Sequence, residues 1–248
     1  MICLSRRLLK ISYLGTNYCG WQVQPNGISV QAVLGEALEK LLLDKVNISG
    51  CSRTDSGVHA KEFYLHFDTN SNIPDKGLVL GLNTLLPDDI CAVSCNTVAD
   101  DFHARYNAKG KNYKYEIYFS EIPNPFWQGR KLRLKKEPYF ERAKQFCSLV
   151  IGKHDFASFS SSGRTVTDTV RTVSDCTVSK EGNCWTFSVT ADGFLYNMVR
   201  IMVGSMLFFA EGKITKEDIE KAFENENRAL LGNTVAPDGL YLNKVYYK

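Results

Sequence analysis

Between Phe194 and Ala210 the chain runs through Met198, Val199, Ile201, Met202, Val203, Met206, Leu207, Phe208 and Phe209, with one cation, Arg200, set among them. A segment this apolar must be hidden from water, and that demand shapes everything packed around it. It is short for a membrane-spanning helix, and the charge at its middle argues further against one. The expectation is a buried helix of a soluble protein. A lone buried charge is costly, so Arg200 needs an anionic partner, which the spacing alone leaves open between Asp192 and acids further away.

The rest of the chain alternates between two periodicities. Leu9, Ile11 and Tyr13 alternate with Lys10 and Ser12, as a half-buried strand does. Gly15, Asn17, Gly20, Pro25, Asn26 and Gly27 mark an irregular loop. Ser29 is placed to cap a helix over 30–43, where Val30, Val33, Leu34, Ala37, Leu38, Leu41 and Leu42 follow helical spacing. Further strands are expected around Phe63 to Phe67, Val93 to Thr97, Tyr113 to Phe119, Trp185 to Ala191 and Leu240 to Tyr246. A helix is expected from Tyr139 to Ile151, and Thr215 with Asp218 makes a capping box before another. There is no βαβα rhythm and no Gly-rich dinucleotide turn. The pattern predicts an α+β fold, with helices packed on a mostly antiparallel sheet. Two subdomains are expected, 1–105 and 106–248, with an active-site cleft between the halves.

With 248 residues, 44% hydrophobic and 23% charged, the chain can build a packed core and is not of disordered composition. Its net charge of +3 is too mild to identify a partner. Distribution says more: Arg130, Lys131, Arg133, Lys135 and Lys136 form one basic cluster, Arg105, Lys109, Lys111 and Lys114 a second, and Arg6, Arg7 and Lys10 a third. Any one is ordinary solvated surface; three together, two beside aromatic residues, point towards RNA. The eight cysteines include no Cys-x-x-Cys. Without an apolar leader at the N-terminus, they predict reduced thiols in a cytoplasmic protein. Cys91 and Cys95, four apart on a strand, are poorly placed to share a metal. His59, His66, His103 and His154 show no ligand spacing, so no metal is expected.

The segment from Gly50 to Ala60 gathers small residues, a cation, a carboxylate and a histidine between a helix and a strand. Asp55 there suits a nucleophile or general base. From composition alone an ordinary Asp turn bonded to nearby amides is the favoured reading. Tyr113, taken without any resemblance, reads as a core tyrosine of an alternating strand.

Arg53-Thr54-Asp55-Ser56-Gly57-Val58-His59-Ala60 closely resembles the catalytic motif of the tRNA pseudouridine synthase A family. The likeness continues in order through Tyr18-Cys19-Gly20-Trp21-Gln22, Asp101-Phe102-His103-Ala104-Arg105, Tyr113-Lys114-Tyr115, Asp155-Phe156-Ala157-Ser158-Phe159, Val170-Arg171-Thr172-Val173, Phe194-Leu195-Tyr196-Asn197-Met198-Val199-Arg200 and Gly239-Leu240-Tyr241-Leu242. Blocks spread in order along nearly the whole chain are far more specific than one short pattern. The resemblance implies isomerisation of uridine to pseudouridine in the anticodon stem-loop of tRNA, at positions 38 to 40. It implies Asp55 as nucleophile and Arg200 as its ionic partner. Tyr113 would pack on the uracil, Leu240 would line the pocket, and Arg53 would help expel the nucleotide or hold the emptied stack. Arg105, Lys109 and Lys111 are candidate RNA contacts. A homodimer is implied, with no cofactor.

Three departures accompany the match. Ser56 stands where many relatives have Ala, Lys61-Glu62 replaces a Gly-Gln-like pair, and Tyr196-Asn197 replaces a His-His pair seen in some members. Three other readings compete: a noncatalytic RNA-binding protein on the same scaffold, a carboxylate-dependent hydrolase, and a synthase acting on another RNA. The joint presence of Asp55, Tyr113 and Arg200 opposes the first. The lack of a paired acid or metal-ligand pattern near Asp55 opposes the second.

Overall fold

The computed structural model describes residues 4–162 and 166–247. Cys3, expected to be a reduced thiol, lies outside them. The chain forms two compact units, Met1–Lys109 with Tyr241–Lys248, and Gly110–Leu240.

The first unit opens with β1 (Ser5–Tyr13), followed by α1 (Val30–Leu42), β2 (Ser49–Gly50), β3 (His59–Thr69), α2 (Asp75–Asn83) and β4 (Ile90–Val98). β1 lies between β3 and β4 and is antiparallel to both. Alternation buries Leu9, Ile11 and Tyr13 on β1 and Phe63, Leu65 and Phe67 on β3. Ser29 caps α1 as its position predicts, accepting from the Ala32 N–H at 3.1 Å. The helix buries Val30, Leu34, Ala37 and Leu38, a stripe at helical spacing. Fully burying each large side chain of such a stripe contributes about 1.5–3 kcal/mol.

The basic cluster at the start of β1 is paired with acids of the same unit. Arg6 makes two 2.7 Å bonds to the carboxylate of Asp68. Arg7 pairs with Asp75, and Lys10 with Glu62 at 2.8 Å. The register of β1 against β3 brings Arg6 opposite Asp68 and so neutralises a charge that looked available in the sequence.

The second unit contains β5 (Gly110–Phe119), β6 (Leu132–Leu134), α3 (Phe140–Leu149), β7 (Gly152–Asp155), β8 (Val170–Glu181), β9 (Cys184–Ala191), α4 (Met198–Ala210) and α5 (Lys216–Asn225). Its sheet runs β5-β9-β8-β7, antiparallel at each step, with β6 parallel to β5. The apolar segment is the buried helix α4, but it starts at Met198. Asn197 has a φ of 61°, in the left-handed region, which ends helical geometry and leaves Phe194 to Tyr196 outside. The capping box at Thr215 and Asp218 is present in both directions, at 2.8 and 3.2 Å. In this unit burial holds the Cys176 thiol protonated, with Cys147 beside it adding to the effect.

The final strand, β10 (Leu240–Tyr246), joins the first unit, where Tyr241 and Leu242 pair in parallel with His59 and Ala60 of β3. Residues 106–109 also belong to the first unit, so the second begins slightly later and ends earlier than the sequence suggests. The mixed composition with mainly antiparallel pairing is the α+β class expected. Among the described residues no helix is long and apolar enough to cross a membrane, and no three His, Cys, Asp or Glu side chains group as a metal site.

Candidate active site

Asp55 sits on the excursion that joins β2 to β3, and the loop is fixed at its start and at its tip. At its start, the Cys51 N–H donates to the Tyr64 carbonyl at 2.7 Å. At its tip, the Val58 N–H returns to the Asp55 carbonyl at 3.2 Å. Gly57, third of those four residues, has a φ of 79°. That is the geometry of a type II turn, which needs a positive φ at this position and therefore favours glycine. Asp55 is thus the first residue of a tight turn, half-buried.

The segment after β1 clamps this turn from outside. The Tyr18 carbonyl accepts from the Gly57 N–H at 3.2 Å and from Ser56 Oγ at 3.3 Å. The Trp21 N–H donates to the Thr54 carbonyl at 3.1 Å, and Tyr13 Oη meets Thr54 Oγ1 at 2.8 Å. Between them Gly20, with a φ of 107°, lies so close that a Cβ would stand 2.5 Å from the Thr54 oxygen. Only glycine meets both conditions. Tyr18 is itself anchored, its hydroxyl donating to Asp89 Oδ1 at 2.5 Å. Burial and then that carboxylate push the phenol well above its ordinary pKa, so it remains a donor. Ser56 thus supplies a bond that alanine would lack.

Arg53 and Arg105 line one cavity of the first unit. Both are exposed. Lys109 is exposed too, with its backbone N–H on the Tyr246 carbonyl at 2.7 Å. The histidines of this unit serve the backbone. His59 Nδ1 accepts from Gly15 N–H at 2.9 Å, and His66 Nδ1 from Ala104 N–H at 3.1 Å. His103 Nδ1 accepts from the N–H groups of Arg105 and Tyr106 at 3.1 and 3.3 Å.

In the second unit, Tyr113 and Lys111 lie on β5. Tyr113 is buried, with its ring edge-on to Phe194 at a centroid distance of 4.9 Å. Arg200 projects from the first turn of α4. Its Nε donates to the Val235 carbonyl at 2.8 Å and a terminal nitrogen donates to Asn197 Oδ1 at 2.7 Å. Both acceptors are neutral, and no carboxylate among the described residues of this unit pairs with it. Asp192, the nearby candidate, instead accepts from the Thr172 N–H at 3.1 Å. Asn197, one of the departures, therefore orients the arginine. The Arg200 bond to Val235 and the Tyr115 hydroxyl bond to the Ala236 carbonyl at 2.5 Å hold the segment that leads into buried Leu240.

The sequence alone assigned no part in the site to Tyr13, Tyr18, Thr54, Asp89 or Tyr106. Tyr18 and Thr54 lie within motifs of the resemblance, but Asp89, the partner of Tyr18, is distant in sequence and carries no local signal.

A carboxylate on a turn held by a second segment, and an arginine held by neutral acceptors in a buried helix, define an α+β protein built to fix charged groups. Comparison with known proteins agrees on what kind. A family model described as tRNA pseudouridine synthase matches residues 146–248. The tRNA pseudouridine synthase A 2 of Clostridium perfringens is 45% identical over 239 residues, covering 96% of this chain and 98% of that one. The tRNA pseudouridine synthase A of Acetivibrio thermocellus is 43% identical over 239 residues, with the same shares covered. That of Thermoanaerobacter sp. is 42% identical over 240 residues, covering 97% and 98%. The chain belongs to the tRNA pseudouridine synthase A family.

Proposed function

We propose that this protein isomerises uridine to pseudouridine in the anticodon stem-loop of tRNA, with Asp55 as the nucleophile. Family membership along almost the full chain supports the isomerase reading. The observation that carries the assignment to Asp55 is its place on a turn clamped by Tyr18 and Trp21, since a nucleophile gains most when its position is fixed before substrate arrives.

The target base must leave the stack before chemistry can reach it. An Asp55 carboxylate oxygen bonds the sugar C1′ as the bond from C1′ to uracil N1 breaks, the uracil turns, and C1′ bonds to C5 as its bond to Asp55 is released. C5 gives up its proton and N1 gains one, so atoms and electrons balance without a redox partner, a hydrolytic water or a cofactor. In this reading Arg200 keeps Asp55 ionised. Tyr113 packs on the uracil and Leu240 lines its pocket. Arg53 helps hold the opened stack, while Arg105, Lys109 and Lys111 meet the RNA backbone. The working enzyme is a cytoplasmic homodimer.

Incubating the protein with unmodified tRNA and mapping pseudouridine by position tests the assignment. Product in the anticodon stem-loop is expected. Product confined to the T-loop or to ribosomal RNA would overturn the target while leaving the reaction standing.

A further inference from the structure

The first unit contains an open, polar-lined cavity of about 240 Å³ that none of the roles above uses fully. Arg53, Arg105, Tyr106, His103, Ser52 and Trp21 are among its lining residues. This is smaller than the roughly 300–1,000 Å³ typical of sites that enclose a whole small molecule.

Two features give the cavity a chemical preference. First, neither the Arg53 nor the Arg105 guanidinium has a carboxylate partner among the described residues, unlike Arg6 and Arg7 of the same unit. Two unneutralised guanidinium groups at one cavity favour an anion, and their planar forks suit phosphate oxygens. Second, Tyr106 is 77% exposed yet not loose. Its ring lies 4.2 Å from that of His103 at 31°, and His103 is backed in turn by His66 at 4.6 Å. His103 also accepts the backbone N–H groups of Arg105 and Tyr106, so one imidazole sets the positions of both residues. An aromatic ring held open to solvent in this way is a ready stacking surface, its ordering cost already met within the fold.

We infer that this cavity is a subsite for one nucleotide flanking the target uridine, with its phosphate between Arg53 and Arg105 and its base stacked on Tyr106. Arg53 lies two residues before Asp55, which makes the occupant a near neighbour of the reacting nucleotide. The inference rests on the RNA-modifying reading proposed above. His103 acts here as a positioning residue.

The test uses stem-loop RNAs carrying the target uridine, intact or with a single abasic nucleotide at each flanking position in turn. Wild-type protein, Tyr106→Ala, Tyr106→Phe and Arg105→Gln are compared for KM, kcat and equilibrium binding. Base–aromatic stacking of about 1–3 kcal/mol corresponds to a roughly 5- to 150-fold effect. Tyr106→Ala is expected to raise KM and Kd within that range with kcat little changed, and Tyr106→Phe to behave as wild type. One abasic position should weaken wild-type binding by a similar factor and add nothing to Tyr106→Ala. Wild-type affinity of Tyr106→Ala for every RNA, or full additivity at every abasic position, would overturn the subsite. If no RNA is isomerised but the binding coupling appears, the functional reading fails, and what remains is a nucleotide-binding subsite on Tyr106 with no target uridine beside it.

Discussion

The Trp21 N–H donates to the Thr54 carbonyl at 3.1 Å, one residue before Asp55, and Gly20 is what lets the two strands of chain come that close. Gly20→Ala would place a Cβ against the Thr54 oxygen and also strain a φ of 107°. Strain of this kind costs about 1–3 kcal/mol. Chemical denaturation should show a loss of that order, and pseudouridine formation under conditions where the variant is folded should fall further. Wild-type activity in the folded variant would show that the clamp does not position Asp55.

Acidification should weaken the fold through His66. Burial, reinforced by His103 and Arg6, lowers its pKa below the ordinary histidine value. The folded state therefore binds a proton less readily than the unfolded chain, whose histidine titrates near about 6.5. The stability this contributes is fully present above that pH and is lost as pH falls below it through the folded value. The geometry gives the same sign, because a protonated ring cannot accept the Ala104 N–H. His66→Asn keeps an acceptor but does not titrate. Its melting temperature should fall less than that of wild type between pH 7.5 and pH 5.5, both taken as round values either side of about 6.5.

Salt should separate backbone contacts from base contacts. Neutralising Lys109 and Lys111 together, as Gln, should weaken binding to different tRNAs alike. It should also flatten the dependence of log affinity on log salt by about 1–2, roughly one per lost phosphate contact. A slope equal to wild type would remove both lysines from the interface.

Much of this was legible in the sequence where the cause is local. Ser29 capping α1 and the Thr215–Asp218 box depend on residues three apart, and strands β1 and β5 on strict alternation. The Asp55 loop was recognisable as a motif. What could not be read is whatever depends on distant chain. Tyr18 and Asp89, Arg6 and Asp68, and His66 and Ala104 meet only after β1, β3 and β4 have paired. Arg6, Arg7 and Lys10 looked available because their acids are far along the chain. The helix α2 escaped notice because Gly77 and Gly81 lower its intrinsic propensity, while Gly81 is accommodated close to Leu41 of α1. The apolar run to Ala210 could not reveal that Asn197 would turn left-handed and begin the helix late.

Arg200→Met keeps bulk and apolar character within α4 but removes the bonds to Val235 and Asn197 and the charge proposed for Asp55. Product formation should fall roughly 100-fold or more, equivalent to about 2.7 kcal/mol of barrier, with a much smaller change in denaturation midpoint. Activity lost only in step with unfolding would make Arg200 a structural residue.

The central claim is that Asp55 attacks the target nucleotide, and Asp55→Asn tests it most directly. The substitution preserves size and much of the hydrogen-bonding capacity while removing the ionised nucleophile. Thermal unfolding, tRNA binding and pseudouridine formation should be measured on one preparation. The account predicts a folded protein that binds tRNA and forms essentially no product. Near-normal turnover by a sequence-verified Asp55→Asn protein would contradict it, and loss of folding would assign Asp55 to holding the turn instead.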